Sequence, residues 1–342
     1  MSTSELTAGE RLKVGIKHLL STAATLVGAF RVARMFSDPA VTIIAYHRIV
    51  DDGQPSVRPY IAVTARELRR QIRFFRRHYT LITLAEAVER IEQSRVDKHY
   101  LVITFDDGYR DNHDLGLEVF SSEGVQPAIF ITTGCVDGGK LLWPDVIRHM
   151  LYAADIKPHV ALETPKVVIG SSLASRIRAS KAIIAHVKKL EPGERETYVA
   201  ALQRLLGARP ASDRLMLDWN EVRSLHSAGA TIGSHTVTHQ VLSRVDEPTA
   251  RIEVGESKRV LEEHTGQAVH FFAYPNGTRA DFTAHTIEAL RDAGYRAAVT
   301  TMRGRNKAGA DLFRLRRTGI YLTDTLSVVK LKLAAESLVR GS

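Results

Sequence analysis

Tyr100-Leu101-Val102-Ile103-Thr104-Phe105-Asp106-Asp107-Gly108-Tyr109 is the stretch that decides the fold. An apolar, β-branched and aromatic run of this length reads as a buried strand, and Asp-Asp-Gly closes it with a turn. Similar strand-like segments run from Val41 to Tyr46, Ala128 to Ile131, Ala230 to Gly233, His270 to Ala273, Tyr295 to Thr300 and Leu315 to Tyr321, with helical patterns between most of them. Two helices announce their starts: Thr64-x-x-Glu67 precedes Leu68, Ile72 and Phe75, and Thr83-x-x-Glu86 precedes Ala87, Val88 and Ile91, both capping-box patterns. The alternation predicts parallel strands joined by crossover helices, open or closed into a barrel.

A second motif lies more than a hundred positions on, in Ser234-His235-Thr236-Val237-Thr238-His239. Its histidines are i, i+4, a spacing at which a helical turn brings side chains within about 6 Å, whereas a strand would hold them about 13 Å apart. A helical turn is therefore expected there. A borderline cation such as Zn²⁺ takes His nitrogen and Asp oxygen, typically with three protein ligands and one position for water; two histidines and one aspartate meet that need. A water on such an ion has a pKa near about 7, so a neighbouring carboxylate can take its proton. Alone, Asp-Asp-Gly reads as a turn and His-x-x-x-His as a polar helix face; together, each after a strand-like segment, they read as a metal-hydrolase site.

Over roughly Val41 to Ile320 the sequence resembles the polysaccharide deacetylase family, the NodB-homology proteins of carbohydrate esterase family 4. The resemblance implies an irregular seven-stranded (β/α) barrel, in which loops at strand C-terminal ends build the site. It implies Asp106 as general base, and Asp107, His235 and His239 as ligands of a divalent metal, with Zn²⁺ the expected one. A third family element, Arg-Pro-Pro-Tyr-Gly, stands here as Ala273-Tyr274-Pro275-Asn276-Gly277, and implies the Asn276 backbone N–H as oxyanion donor. Tyr109, Tyr274, Pro275 and Trp143 are expected to touch substrate. Two departures matter. Ala273 replaces the arginine that orients the catalytic aspartate; Arg317, in Leu315-Arg316-Arg317-Thr318, is the candidate substitute, against a slightly favoured reading as a surface arginine. The Leu-x-His near the C-terminus is missing, since no histidine follows His285. The segment Ile43-Ile44-Ala45-Tyr46-His47-Arg48 is similar to the branch acting on poly-N-acetylglucosamine, which implies His47 as general acid; a structural histidine bonded to nearby backbone is the alternative. Asp218-Trp219-Asn220-Glu221 reads as a helix cap and not as a groove motif.

The 342 residues, 44% hydrophobic, suffice for a substantial core. Expected divisions are an N-terminal helical segment (1–40), the barrel (41–325) with a helical insertion over 143–218, and a C-terminal helix or tail (326–342). The first segment has a polar start containing Glu5, Glu10, Arg11 and Lys13, then an uncharged stretch from His18 to Phe30, too short for the roughly 20 residues a bilayer takes. No signal peptide is evident. Contact with a membrane surface or packing on the barrel are the two readings, with packing expected. The single cysteine, Cys135, excludes an intrachain disulfide, and a cytoplasmic or membrane-associated location is expected.

A net charge of +9 draws partly on Arg66, Arg69, Arg70, Arg73, Arg76 and Arg77, and on Arg303, Arg305, Lys307, Arg314, Arg316 and Arg317. No nucleic-acid motif accompanies them, so nucleic acid is not expected as a partner. The expected activity is metal-dependent removal of acetyl from an N-acetylated amino sugar in a glycan. Rivals are a same-fold hydrolase of a non-carbohydrate amide, and a carbohydrate-binding protein with a decayed site.

Overall fold

The strand over His99–Phe105 lies at the heart of a curled parallel sheet, because every residue from Tyr100 to Phe105 is buried. The computed structural model describes residues 8–26, 28–52, 61–137, 140–153, 156–157, 159–208 and 214–338. Glu5, the tail beyond 338 and parts of the insertion (154–155, 158, 209–213) lie outside the described residues, as do the side chains of Glu10 and Arg11.

Seven strands form the sheet: β1 (Ala40–Tyr46), β2 (His99–Phe105), β3 (Ala128–Ile131), β4 (Thr231–Ser234), β5 (Phe271–Ala273), β6 (Ala297–Val299) and β7 (Thr318–Gly319). Their spatial order is β6-β5-β4-β3-β2-β1-β7, and the short strand Thr80–Leu81 adds to β2. All pairings in this sheet are parallel, as crossover helices require. Leu315, just ahead of β7, bridges Val299 of β6, so the two ends of the sheet meet. Each strand anticipated from the sequence is present, although the last is only two residues long.

The helix Ala65–His78 buries Leu68, Ile72, Phe74 and Phe75, and Thr64 caps it by accepting from the Glu67 N–H. On its outer face Arg66, Arg69, Arg70, Arg73 and Arg76 each meet a carboxylate, so that face is paired as well as solvated. Thr83 and Glu86 form the anticipated reciprocal capping box, and Asp218 and Glu221 form another.

The insertion is more than helical. Helices Trp143–Tyr152, Leu173–Val187 and Pro192–Leu206 surround an antiparallel hairpin of Val160–Leu162 and Val167–Ile169, and they share a hydrophobic cluster of their own, including Ile147, Met150, Ile169, Ile183 and Leu202. The N-terminal helical segment consists of two helices, α1 (Ala8–Leu26) and α2 (Ala29–Met35), with Gly28 between them at a left-handed φ of 69°. Both pack against α3 (Leu326–Leu338).

Candidate active site

The sheet delivers its chemistry at one end. Asp106 and Asp107 follow β2, His47 follows β1, His235 follows β4, and Asn276 lies three residues past β5. Backbone strain gathers there: of seven described non-glycine residues with positive φ, Asp107, Thr236, His239 and Asn276 belong to these loops. Such conformations cost about 1–3 kcal/mol each and persist only when surrounding contacts enforce them.

Asp107 Oδ1 is 3.3 Å from Nε2 of both His235 and His239. All three residues are buried, yet Oδ1 has no directed hydrogen-bond partner. Ligand atoms about 2.1 Å from one tetrahedral centre stand roughly 3.4 Å apart, so this spacing is long for hydrogen bonding and right for sharing an ion. Their ligand atoms all lie within 4.8 Å of one another. His235 Nδ1 is 2.7 Å from the Ala273 carbonyl; donating there fixes the tautomer that leaves Nε2 free to coordinate. The donor set therefore fits a divalent cation. Burial raises the Asp107 carboxyl, but the two imidazoles facing it outweigh burial and hold it well below the ordinary range.

No helical turn brings the histidines together. Thr236 and His239 take left-handed backbone angles in an irregular loop, which places the two rings 5.0 Å apart between centroids. Glu253, on the helix Glu247–Thr265, holds that loop: its carboxylate accepts from Val237 N (2.8 Å), Thr238 N (2.9 Å) and Thr238 Oγ1 (2.6 Å). On the other side the Gly134 N–H donates to the Val237 carbonyl at 2.8 Å, and a Cβ at Gly134 would sit 2.6 Å from that oxygen. Glu253 went unnoticed in the sequence because nothing local marks it among the many glutamates of its helix.

Asp106 is held by Arg317. The guanidinium donates from Nη1 to Oδ1 and from Nη2 to Oδ2, both at 2.7 Å, and also from Nε to the Thr300 carbonyl and from Nη1 to Thr104 Oγ1. Arg317 is fully buried, so the reading as a surface arginine is corrected: Leu315 and Arg317 share the inward face while Arg316 points away. Burial raises the Asp106 carboxyl, and the Arg317 charge with its hydrogen bonds more than reverses this. Asp106 thus remains ionised where an isolated buried acid would not.

His47 is half-buried, and its Nδ1 is buried without a hydrogen-bond partner among the described residues. Asn112 instead binds the His47 carbonyl at 2.8 Å. Burial pushes the imidazole pKa down, against the pull of Asp107 and Asp106.

Three residues expected to touch substrate are buried. Tyr109 is buried and its hydroxyl donates to Asp145 at 2.7 Å, pinning the insertion to the barrel. Tyr274 is buried, donates to the Phe313 carbonyl and stacks on Phe282 at 4.1 Å. Pro275 is buried beside it. Trp143 is partly exposed, with Arg195 over its ring; Trp219 is stacked on His264 at 3.8 Å.

Residues 188–298 match the family model described as polysaccharide deacetylase. No curated protein sequence matches the chain. Among solved structures it is similar to the Streptococcus pyogenes deacetylase PplD in complex with acetate, at 15% identity over 86% of this chain and 98% of that one, with a TM-score of 0.58. It is similar to IcaB from Ammonifex degensii, at 17% identity over 88% and 98%, TM-score 0.58, and to a de-N-acetylase from Aggregatibacter actinomycetemcomitans, at 14% over 85% and 99%, TM-score 0.55. At these identities the likeness is one of fold, the NodB-type curled parallel sheet. The domain match on that fold supports a hydrolase acting on carbon–nitrogen bonds other than peptide bonds.

Proposed function

We propose that this protein is a metal-dependent deacetylase that hydrolyses the N-acetyl group of an amino sugar in a polysaccharide or glycoconjugate. The observation that carries the reading is the pairing of two differently held carboxylates: Asp107 faces His235 and His239, while Asp106 is clamped by Arg317. A binding module needs neither. The partial match to the polysaccharide deacetylase model and the similarity to solved deacetylase structures support the substrate class.

In this reading Asp107, His235 and His239 hold a divalent cation, with Zn²⁺ favoured by the mixed nitrogen and oxygen donors. When bound, the cation polarises the acetyl carbonyl and makes water acidic enough to ionise near neutral pH. Asp106 takes the proton from the attacking water. Arg317 keeps the carboxylate ionised and aimed. The Asn276 backbone N–H donates to the oxyanion, a role that does not depend on the side chain. His47 returns a proton to the departing amine, the role that the resemblance of Tyr46-His47 to the poly-N-acetylglucosamine branch implies for it.

Asp106→Asn tests this directly. Acetate release from N-acetylated oligosaccharides should drop by about 10²–10⁴-fold while cation content stays at the wild-type level. Undiminished turnover would remove Asp106 as the base, and release unaffected by a chelator would remove the metal.

A further inference from the structure

The N-terminal helix α1 is mounted with its apolar side outward. Leu12, Ile16, Leu19 and Leu20 are 64%, 48%, 71% and 58% exposed, and with Ala23 they recur at the i, i+4, i+7, i+8, i+11 spacing of one helix face. The opposite face carries the polar side chains and is tied to the protein. Lys17 Nζ pairs with the buried Asp324 at 2.6 Å, His18 Nε2 meets the Thr323 carbonyl at 2.9 Å, and Ser21 is fully buried. An ordinary surface helix buries its apolar stripe; this one is inverted.

Helix α2 also turns apolar side chains outward. Phe30 and Ala33 face inward, with Phe30 against Phe74 and Tyr79, while Val32, Met35 and Phe36 are 51%, 75% and 77% exposed. Cations crowd beside it. Burial lowers the His78 imidazole, and the charges that lower it further are Arg34, Lys330, Arg31 and Arg77, all positive. Lys330 lies over the Phe74 ring at 5.3 Å and Arg34 over Tyr79 at 4.6 Å, so this positive patch is built into the packing of α2 and α3. Lys13 adds an exposed charge on α1 itself.

We propose that α1 and α2 dock the protein on the surface of an anionic lipid bilayer, with the apolar faces at the boundary between headgroups and acyl chains and the flanking cations on anionic headgroups. Helices with one apolar face and adjoining Lys and Arg bind lipid in this way, lying in the interface plane. They lie on the membrane and do not span it: among the described residues no helix is long and apolar enough to cross. A second copy of the chain is the weaker occupant, since a two-fold contact through this face would press Arg31, Arg34, Arg77 and Lys330 toward their own copies. The proposal stands on these helices alone and is independent of the reading of the active site.

Flotation of the full chain with phosphatidylcholine vesicles, with and without phosphatidylglycerol, tests it. The wild-type protein should float with the anionic vesicles and far less with the neutral ones, and each of Arg31→Gln and Lys13→Gln should weaken binding by about fivefold. Leu19→Glu with Leu20→Glu should abolish flotation while the circular dichroism spectrum and melting temperature stay as in wild type, both positions being exposed. No flotation of the wild type, or flotation that survives the double substitution, overturns the proposal. A wild-type dimer in sedimentation equilibrium that the double substitution turns into monomer, without lipid binding, would make this face a subunit contact and overturn it equally.

Discussion

Arg317 meets Asp106 edge to edge, two parallel bonds of 2.7 Å between groups that are 0% and 3% exposed. The arginine comes from the approach to β7, whereas the position the family resemblance marks for it is Ala273 at the end of β5. On the curled sheet those two strands lie on either side of β6, because Leu315 bridges Val299. The guanidinium that grips this carboxylate comes from a neighbouring part of the barrel.

Arg317→Lys keeps a positive charge but loses the planar fork. With its partner weakened, the Asp106 carboxyl rises from its depressed position, so its basic form appears only at higher pH. The acidic limb of the pH–rate profile should move upward, and kcat should fall by up to about a hundredfold, the lower end of what a general base supplies. Arg317→Leu leaves a buried carboxylate unpaired and should cost about 3–5 kcal/mol in urea unfolding. Because the folded carboxyl is depressed, its stabilising contribution is present above about pH 4 and is lost as pH falls through the folded value. The difference between wild type and Arg317→Leu should therefore narrow in acid; a difference constant with pH would count against the assignment.

Glu253 carries the shape of the histidine loop, though it touches no ligand atom. Glu253→Ala removes the acceptor for Val237 N, Thr238 N and Thr238 Oγ1, and the strained angles at Thr236 and His239 lose their restraint. Cation affinity in chelator competition should weaken by about 10–100-fold, the range for second-layer partners of metal ligands. Excess cation should recover most of kcat. A loss of kcat that saturating cation leaves untouched would argue that Glu253 acts elsewhere.

Strand content was legible because β1 and β2 are buried on both faces and so read as uninterrupted apolar runs. Asp106 and Asp107 were legible for the same reason, since a buried strand must end in a polar turn. The conformation joining His235 to His239 was not: i, i+4 spacing has a helical solution and an irregular one, and the choice was made by Glu253 and Gly134, distant in sequence. Arg317 was half legible. Alternation with Leu315 points it inward, but β7 has only two residues, too few for a pattern to stand out. Tyr109 and Tyr274 lie beside candidate catalytic positions, and adjacency in sequence suggests substrate contact; in the structure both side chains are buried and hydrogen-bonded to the protein. The outward face of α1 runs against the sequence, because an apolar stripe ordinarily marks the side of a helix that meets the protein, and here Leu12, Ile16, Leu19 and Leu20 are exposed.

Tyr109 offers a clean separation of support from recognition. Tyr109→Phe deletes the bond to the buried Asp145, which keeps Arg148 as a partner at 2.8 Å. Stability should fall by about 1–3 kcal/mol, read as a lowered melting temperature, with KM for acetylated oligosaccharides unchanged. A raised KM without destabilisation would return Tyr109 to the substrate.

His47 is tested by comparing two leaving groups. An amine must be protonated as it departs, whereas an aryl oxide leaves unaided, so a general acid matters for the first and little for the second. His47→Gln should lower kcat on an N-acetylated sugar by about 10²–10⁴-fold and on an aryl acetate by much less, with cation content unchanged. The ring is well placed for this: half-buried, with its Nδ1 unclaimed among the described residues. Burial lowers its pKa while the two carboxylates oppose that fall, so the ring gives up a proton more readily than an exposed histidine and has charge nearby to draw one back. Equal losses on amide and ester would mean that His47 shapes the site through packing, and the proton to the amine would then have to come from another group.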